Sequence, residues 1–82
     1  MPRHRRLSSA ADKTAWLQAH RHLWRDMPYQ RQNATVQDFL YTLRVGMTAD
    51  GLYSPKTTHY DVEHSIHEQI ERIRKAEDKS DS

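Results

Sequence analysis

Apolar residues recur along this chain in three separate blocks, each with a helical period. In the first block Trp16, Ala19, Leu23 and Met27 lie three or four residues apart, and Leu17 and Trp24 flank them. Thr14, Gln18, Arg21, His22 and Arg25 fall on the opposite face. Ser9 with Asp12 has the form of a capping box with the shorter acid, and Pro28 breaks the helical run after Met27. The pattern predicts a helix over residues 9–26.

The second block is Val36, Phe39, Leu40, Leu43 and Met47. Thr35 is the expected N-cap, Asp38 stands at the third helical position, and Gly46 is the expected stop. These signals predict a helix over 36–46. Tyr41 and Val45 lie on its other side, and a helix apolar on two faces is either central in its fold or half-covered by a partner. In the third block Val62, Ile66, Ile70 and Ile73 make one stripe, and Thr58 with Asp61 repeats the cap pattern, predicting a helix over 58–75. Charges at four-residue spacing lace its outside: Glu63–His67, His64–Glu68, Glu68–Arg72 and Glu71–Lys75.

The segments between the blocks read as loops. Met27 to Ala34 is polar without period. Thr48 to Thr57 carries the turn signals Asp50-Gly51 and Ser54-Pro55, with Leu52 and Tyr53 to pin it. The chain therefore reads as an all-α, three-helix small domain over 9–76. A basic, disordered N-terminal arm precedes it over 1–8, and a short acidic C-terminal tail succeeds it over 77–82. The expected core is Trp16, Leu23, Phe39, Leu40, Leu43, Val62, Ile66, Ile70 and Ile73.

Length and composition narrow this picture. With 82 residues the core is thin, and such chains lean on disulfides, metals, well-formed helix packing or a partner subunit. Disulfides and thiolate sites are excluded, because there is no cysteine. No apolar run is long enough to span a bilayer, and no apolar stretch succeeds the N-terminal arginines as in a secretory signal. The expectation is a cytoplasmic protein. Residues 1–33 carry seven Arg or Lys against two Asp, +5, whereas residues 57–82 come to −3. This asymmetry suits an anionic partner at the front, or head-to-tail attraction between subunits.

Chemistry is harder to find. Six histidines are many for this length, and His59, His64 and His67 cluster in the third helix. His64 and His67 are close enough in register to share a metal, with Glu63 or Glu68 adding a carboxylate, but the spacing is not that of a zincin. Pairing of these imidazoles with nearby acids is the simpler reading. His59 falls nearer the core stripe. His20 borders the first stripe and packs there, while His22 is solvated. No serine stands beside a base on one helical face, and two glycines cannot build a phosphate cradle. The expectation is no enzyme, no cofactor, no metal and no small-molecule substrate.

Binding remains, in two forms. Leu17, Trp24, Tyr29, Tyr41, Val45, Leu52, Tyr53 and Tyr60 exceed what three short stripes can hide. An exposed remainder rich in aromatics is typical of interface hot spots. The expected protein interface is Leu17, Trp24, Tyr29, Tyr41, Val45 and Tyr53, with Trp24 and Tyr41–Val45 foremost. The alternative is nucleic acid, held by Arg3, Arg5 and Arg6 of the arm, by Arg21 and Arg25 on one helix face, and by Arg31. Against sequence-specific reading, the second connection is too long for a helix-turn-helix and the third helix is acidic. Protein association, self-association included, by a small regulator, inhibitor or adaptor is the leading expectation. Chains of this size and style are frequent among phage and mobile-element proteins, although no motif here carries that assignment.

Overall fold

The computed structural model describes residues 9–80. They form three helices, α1 (Ala10–Ala19), α2 (Ala34–Ala49) and α3 (His59–Ser80), with a single 3₁₀ turn at Arg21–Leu23 after α1. No strand occurs among the described residues. The N-terminal arm, with Arg3, Arg5 and Arg6, lies outside them, as do residues 81 and 82.

α1 starts as its sequence demands. Ser9 Oγ accepts the Asp12 amide at 3.2 Å and the Asp12 carboxylate accepts the Ser9 amide at 3.2 Å, a complete capping box. Its end differs from expectation. The helix stops at Ala19 instead of reaching Asp26. His20 stacks on Trp16, with ring centroids 3.7 Å apart, and the chain tightens into the 3₁₀ turn. Carbonyls of a last helical turn lack intrahelical donors. One of them, on Leu17, receives the indole N–H of Trp24 at 2.8 Å. The turn therefore carries Trp24 into the interior, where a continuous helix would have set it on the flank.

α2 also departs from expectation at both ends. Its N-cap is Asn33, whose side chain accepts the Thr35 amide at 2.8 Å. Gly46 does not stop it. A Cβ at Gly46 would lie 3.3 Å from the Trp16 ring, so this glycine makes room for the indole. The stop is Gly51, at φ 81°. The Leu52 amide bonds the Met47 carbonyl at 2.9 Å and the Gly51 amide bonds the Thr48 carbonyl at 3.0 Å, the two bonds of a Schellman motif. An alanine at position 51 would hold a left-handed backbone, so Gly51→Ala is expected to destabilise by about 1 kcal/mol in urea titration.

α3 is capped by Thr58, whose hydroxyl accepts the Asp61 amide at 3.1 Å. Residues 77–80, expected in a tail, belong to this helix, and Glu77 is held by Arg21 at 2.8 Å. Of the pairs expected along α3, His64 and Glu68 meet at 3.0 Å. Glu63 and Glu71 turn instead to Arg44 (2.8 Å) and Arg74 (3.4 Å).

The core gathers on α3. Val62, Ile66, Ile70 and Ile73 are all buried, as their spacing predicts, and meet Val36, Leu40, Leu43 and Met47 of α2. Leu17, Trp24, Met27, Leu52 and Tyr53 complete the interior. Trp16, Leu23 and Phe39, expected at the centre, pack around it half-buried. Leu52 and Tyr53 pin the second loop as anticipated. His59, placed nearer the stripe by its register, is exposed because it opens the helix ahead of the first core turn. His20 packs on Trp16, and His22 is exposed.

One charged residue belongs to this interior. Arg74 is 5% exposed. Its Nη2 donates to the carbonyls of Met27 (2.7 Å) and Trp24 (3.3 Å), and its Nη1 meets Glu71. The guanidinium thus serves carbonyls of the chain that turns away after α1. Nothing in the helical pattern singled it out.

Candidate functional site

The expected interface set divides. Leu17 and Trp24 are fully buried and Tyr53 is 8% exposed, so none of the three meets a partner while the fold is intact. The reason differs for each. Leu17 points from α1 into the core. Trp24 is drawn in by its bond to the Leu17 carbonyl. Tyr53 is anchored through its hydroxyl, 2.9 Å from Ser65 Oγ and 3.3 Å from the Gln69 amide, and Gln69 in turn accepts from Thr14 across the helices. Burial raises the pKa of the Tyr53 phenol, with the Ser65 and Gln69 hydrogen bonds opposing that shift.

The rest of the set stays outside. Tyr29 (61%), Tyr41 (58%) and Val45 (47%) are exposed, and Tyr60 (69%) joins them. Each of the three tyrosines has a guanidinium over its ring. Arg74 lies 4.1 Å from the Tyr29 centroid, Arg44 5.1 Å from that of Tyr41, and Arg31 5.7 Å from that of Tyr60. These distances fall within cation–π range. Two of the arginines are themselves fixed, Arg74 to carbonyls and Arg44 to Glu63, while Tyr60 also stacks on His64 at 6.0 Å. Braced rings of this kind lose little freedom when a partner covers them.

Two clefts open on the surface, the first of them walled in part by Tyr60. One, of about 380 Å³, runs between the start of α2 and the first turns of α3, and its walls include Arg31, Gln37, Leu40, Tyr60, Glu63 and His64. The other, of about 310 Å³, is mostly apolar and lies between the 3₁₀ turn and α2, on Leu23, Thr35, Asp38, Phe39 and Thr42.

Of the arginines expected to bind nucleic acid, Arg21, Arg25 and Arg31 fall within the described residues. Arg21 and Arg25 lose the helix face they were expected to share, because α1 ends before either. Arg21 is engaged by Glu77, and Arg25 lies 4.0 Å from Asp26. Arg31 lines the α2–α3 cleft.

The two candidate metal ligands part as well. His64 Nε2 faces Glu68 at 3.0 Å, while His67 is buried and its Nε2 has no hydrogen-bond partner among the described residues. No group of three metal-ligating side chains occurs among the described residues. No described helix is long and apolar enough to cross a membrane.

His67 has a consequence for stability. Burial pushes its pKa below the ordinary value of 6.5; Glu71 opposes this, and the charges of Arg31, Arg74 and His64 add to it. The unfolded chain then binds this proton more readily than the folded one, so the folded state loses stability as pH falls below that value. Wild-type protein is expected to melt at progressively lower temperature from about pH 7 to about pH 5, with a shallower dependence in His67→Gln. Equal slopes in the two proteins would show that His67 does not drive the effect.

Comparison with known proteins finds no family model, no curated protein and no solved structure that matches this chain.

Proposed function

We propose that this chain is a small non-enzymatic binding protein, acting by association with another protein or a second copy of itself. One observation carries the reading. Its three exposed tyrosines are each braced by an arginine, on a chain whose other large aromatic groups are buried or half-buried. Tyrosine and arginine are enriched where protein interfaces concentrate their binding energy. Rings already held in place enter such an interface at low entropic cost. Val45 and the apolar cleft on Leu23 and Phe39 offer further apolar area for a partner's aliphatic side chains. A regulator, inhibitor or adaptor would use these groups to occlude or bridge.

Nucleic acid is the weaker reading. α3 carries Asp61 and Glu68 on its exposed side, and these repel a phosphate backbone.

The test compares wild type with Tyr29→Ala/Tyr41→Ala/Tyr60→Ala, after circular dichroism shows both to be helical. Sedimentation velocity reads self-association, and immobilised protein reads capture of other chains. The expected result is an associated species that wild type forms and the triple variant does not. Identical behaviour of the two proteins in both measurements contradicts the proposal.

A further inference from the structure

The α2–α3 cleft holds a charge that the fold does not answer. Arg31 is half-buried at its edge. The other half-buried or buried arginines that border an exposed tyrosine, Arg44 and Arg74, both have a carboxylate, Glu63 at 2.8 Å and Glu71 at 3.4 Å. Even the exposed Arg21 has Glu77. Among the described residues no carboxylate pairs with Arg31, whose guanidinium rests on the Tyr60 ring. A partly desolvated charge without a counter-charge is unfavourable, and an incoming anion would relieve that cost.

We propose that this cleft takes a single carboxylate of a partner's peptide segment, paired with Arg31. This assignment rests on the protein-binding reading above and names the chemistry of the partner. Charge decides between carboxylate and phosphate. Glu63 is paired with Arg44, so Arg31 is the one charged side chain lining the cleft without a partner of opposite sign among the described residues. One carboxylate matches that charge. A doubly charged phosphate, or the run of phosphates on a nucleic acid, would bring more negative charge than Arg31 alone balances. The remaining walls suit a peptide. Gln32 and Gln37 present amides that can both donate to and accept from a main chain, and Leu40 with the Tyr60 ring gives an apolar floor for the residue next to the acid. A guanidinium can pair with a carboxylate in a planar, two-pronged arrangement, the geometry in which arginine holds carboxylates best.

The experiment uses the full-length, isotope-labelled protein, observed by nuclear magnetic resonance at the Arg31 Nε–H and the Gln32 and Gln37 side-chain amides. Four probes are titrated: acetyl-Ala-Leu-Glu-Leu-Ala-amide, its Gln counterpart, acetyl-Ala-Leu-Ala-Leu-Ala with a free C-terminal carboxylate, and inorganic phosphate. The Glu peptide is expected to move these signals saturably and to bind about tenfold more tightly than the Gln peptide. Arg31→Gln should erase that difference while leaving the remainder of the spectrum in place. A response to the free C-terminal peptide on the same signals supports the proposal and identifies a chain end as a second source of the carboxylate. Equal binding of the Glu and Gln peptides, no movement at Arg31 with either carboxylate peptide, or a tighter response to phosphate overturns it. If Arg31→Gln keeps the associated species that the tyrosine variant loses, the cleft assignment falls and the association reading stands.

Discussion

Trp24→Ala is expected to remove a large share of the stability of this fold. The indole is fully buried and is the largest of the fully buried side chains. Removing such a ring from a core costs about 3–5 kcal/mol, through lost burial and the cavity left behind. A domain of this size has roughly 5–10 kcal/mol to lose, so the variant approaches the threshold of folding. The indole also has a role that a smaller ring cannot fill. Its N–H satisfies the Leu17 carbonyl at the end of α1, and the arginines Arg21 and Arg74 lie 5.8 and 5.6 Å from its centroid. Trp24→Phe keeps most of the volume and loses the hydrogen bond, at about 1 kcal/mol. Far-ultraviolet circular dichroism during urea titration checks both. A Trp24→Ala variant with the wild-type midpoint would return Trp24 to the surface, where the apolar spacing alone places it.

Arg74→Ala is expected to cost about 3 kcal/mol, although nearly all single surface arginines cost far less. The Met27 carbonyl loses its 2.7 Å donor, and the Trp24 carbonyl loses one of its two partners. Both groups sit where the chain leaves the 3₁₀ turn and has no regular hydrogen bonding of its own. The Tyr29 ring also loses the guanidinium beneath it. Arg74→Met separates the two contributions. It keeps the aliphatic packing and loses the donors, so its urea midpoint should fall between those of wild type and Arg74→Ala. A midpoint for Arg74→Ala equal to that of wild type would mean that water satisfies these carbonyls equally well.

Much of this fold was legible in the sequence because local signals agreed with the tertiary outcome. Ser9 with Asp12 forms the capping box it resembles, Thr58 caps α3, and the stripe of Val62, Ile66, Ile70 and Ile73 is buried throughout. The failures share a cause. Nothing local ends α1 at Ala19, since neither glycine nor proline occurs between Ala19 and Pro28, and the apolar spacing continues smoothly through Leu23. What ends it is a set of tertiary contacts: Trp24 reaching back to Leu17 and Arg74 reaching in from α3. Gly46 is an equivalent case. Read locally it is a helix stop, yet its missing side chain accommodates Trp16, and the left-handed backbone falls at Gly51 instead.

The surface divided along the same line. The surplus of apolar residues requires that some aromatic groups stay outside, and Tyr29, Tyr41 and Val45 do. That surplus could not assign Trp24 and Tyr53 to the interior, because each is held there by a hydrogen bond to a group beyond its own helical turn. Nor could spacing reveal that Arg31, Arg44 and Arg74 converge on tyrosines. Arg74 stands forty-five residues from Tyr29 in the chain, and only the packing of the first loop against α3 brings them together. The unanswered charge of Arg31 is equally silent in sequence, since a missing partner leaves no motif.

The proposed binding role depends on a division of the four tyrosines, with Tyr29, Tyr41 and Tyr60 presented outward and Tyr53 held within. Nitration by tetranitromethane, mapped by peptide mass spectrometry, reads that division directly in the native protein. Tyr29, Tyr41 and Tyr60 are expected to be modified, with Tyr53 spared until urea unfolds the chain, because its phenol is both buried and hydrogen-bonded. Native modification of Tyr53 at the rate of the others, or protection of Tyr41 and Tyr60 in the monomer, would refute the division and with it the proposed role.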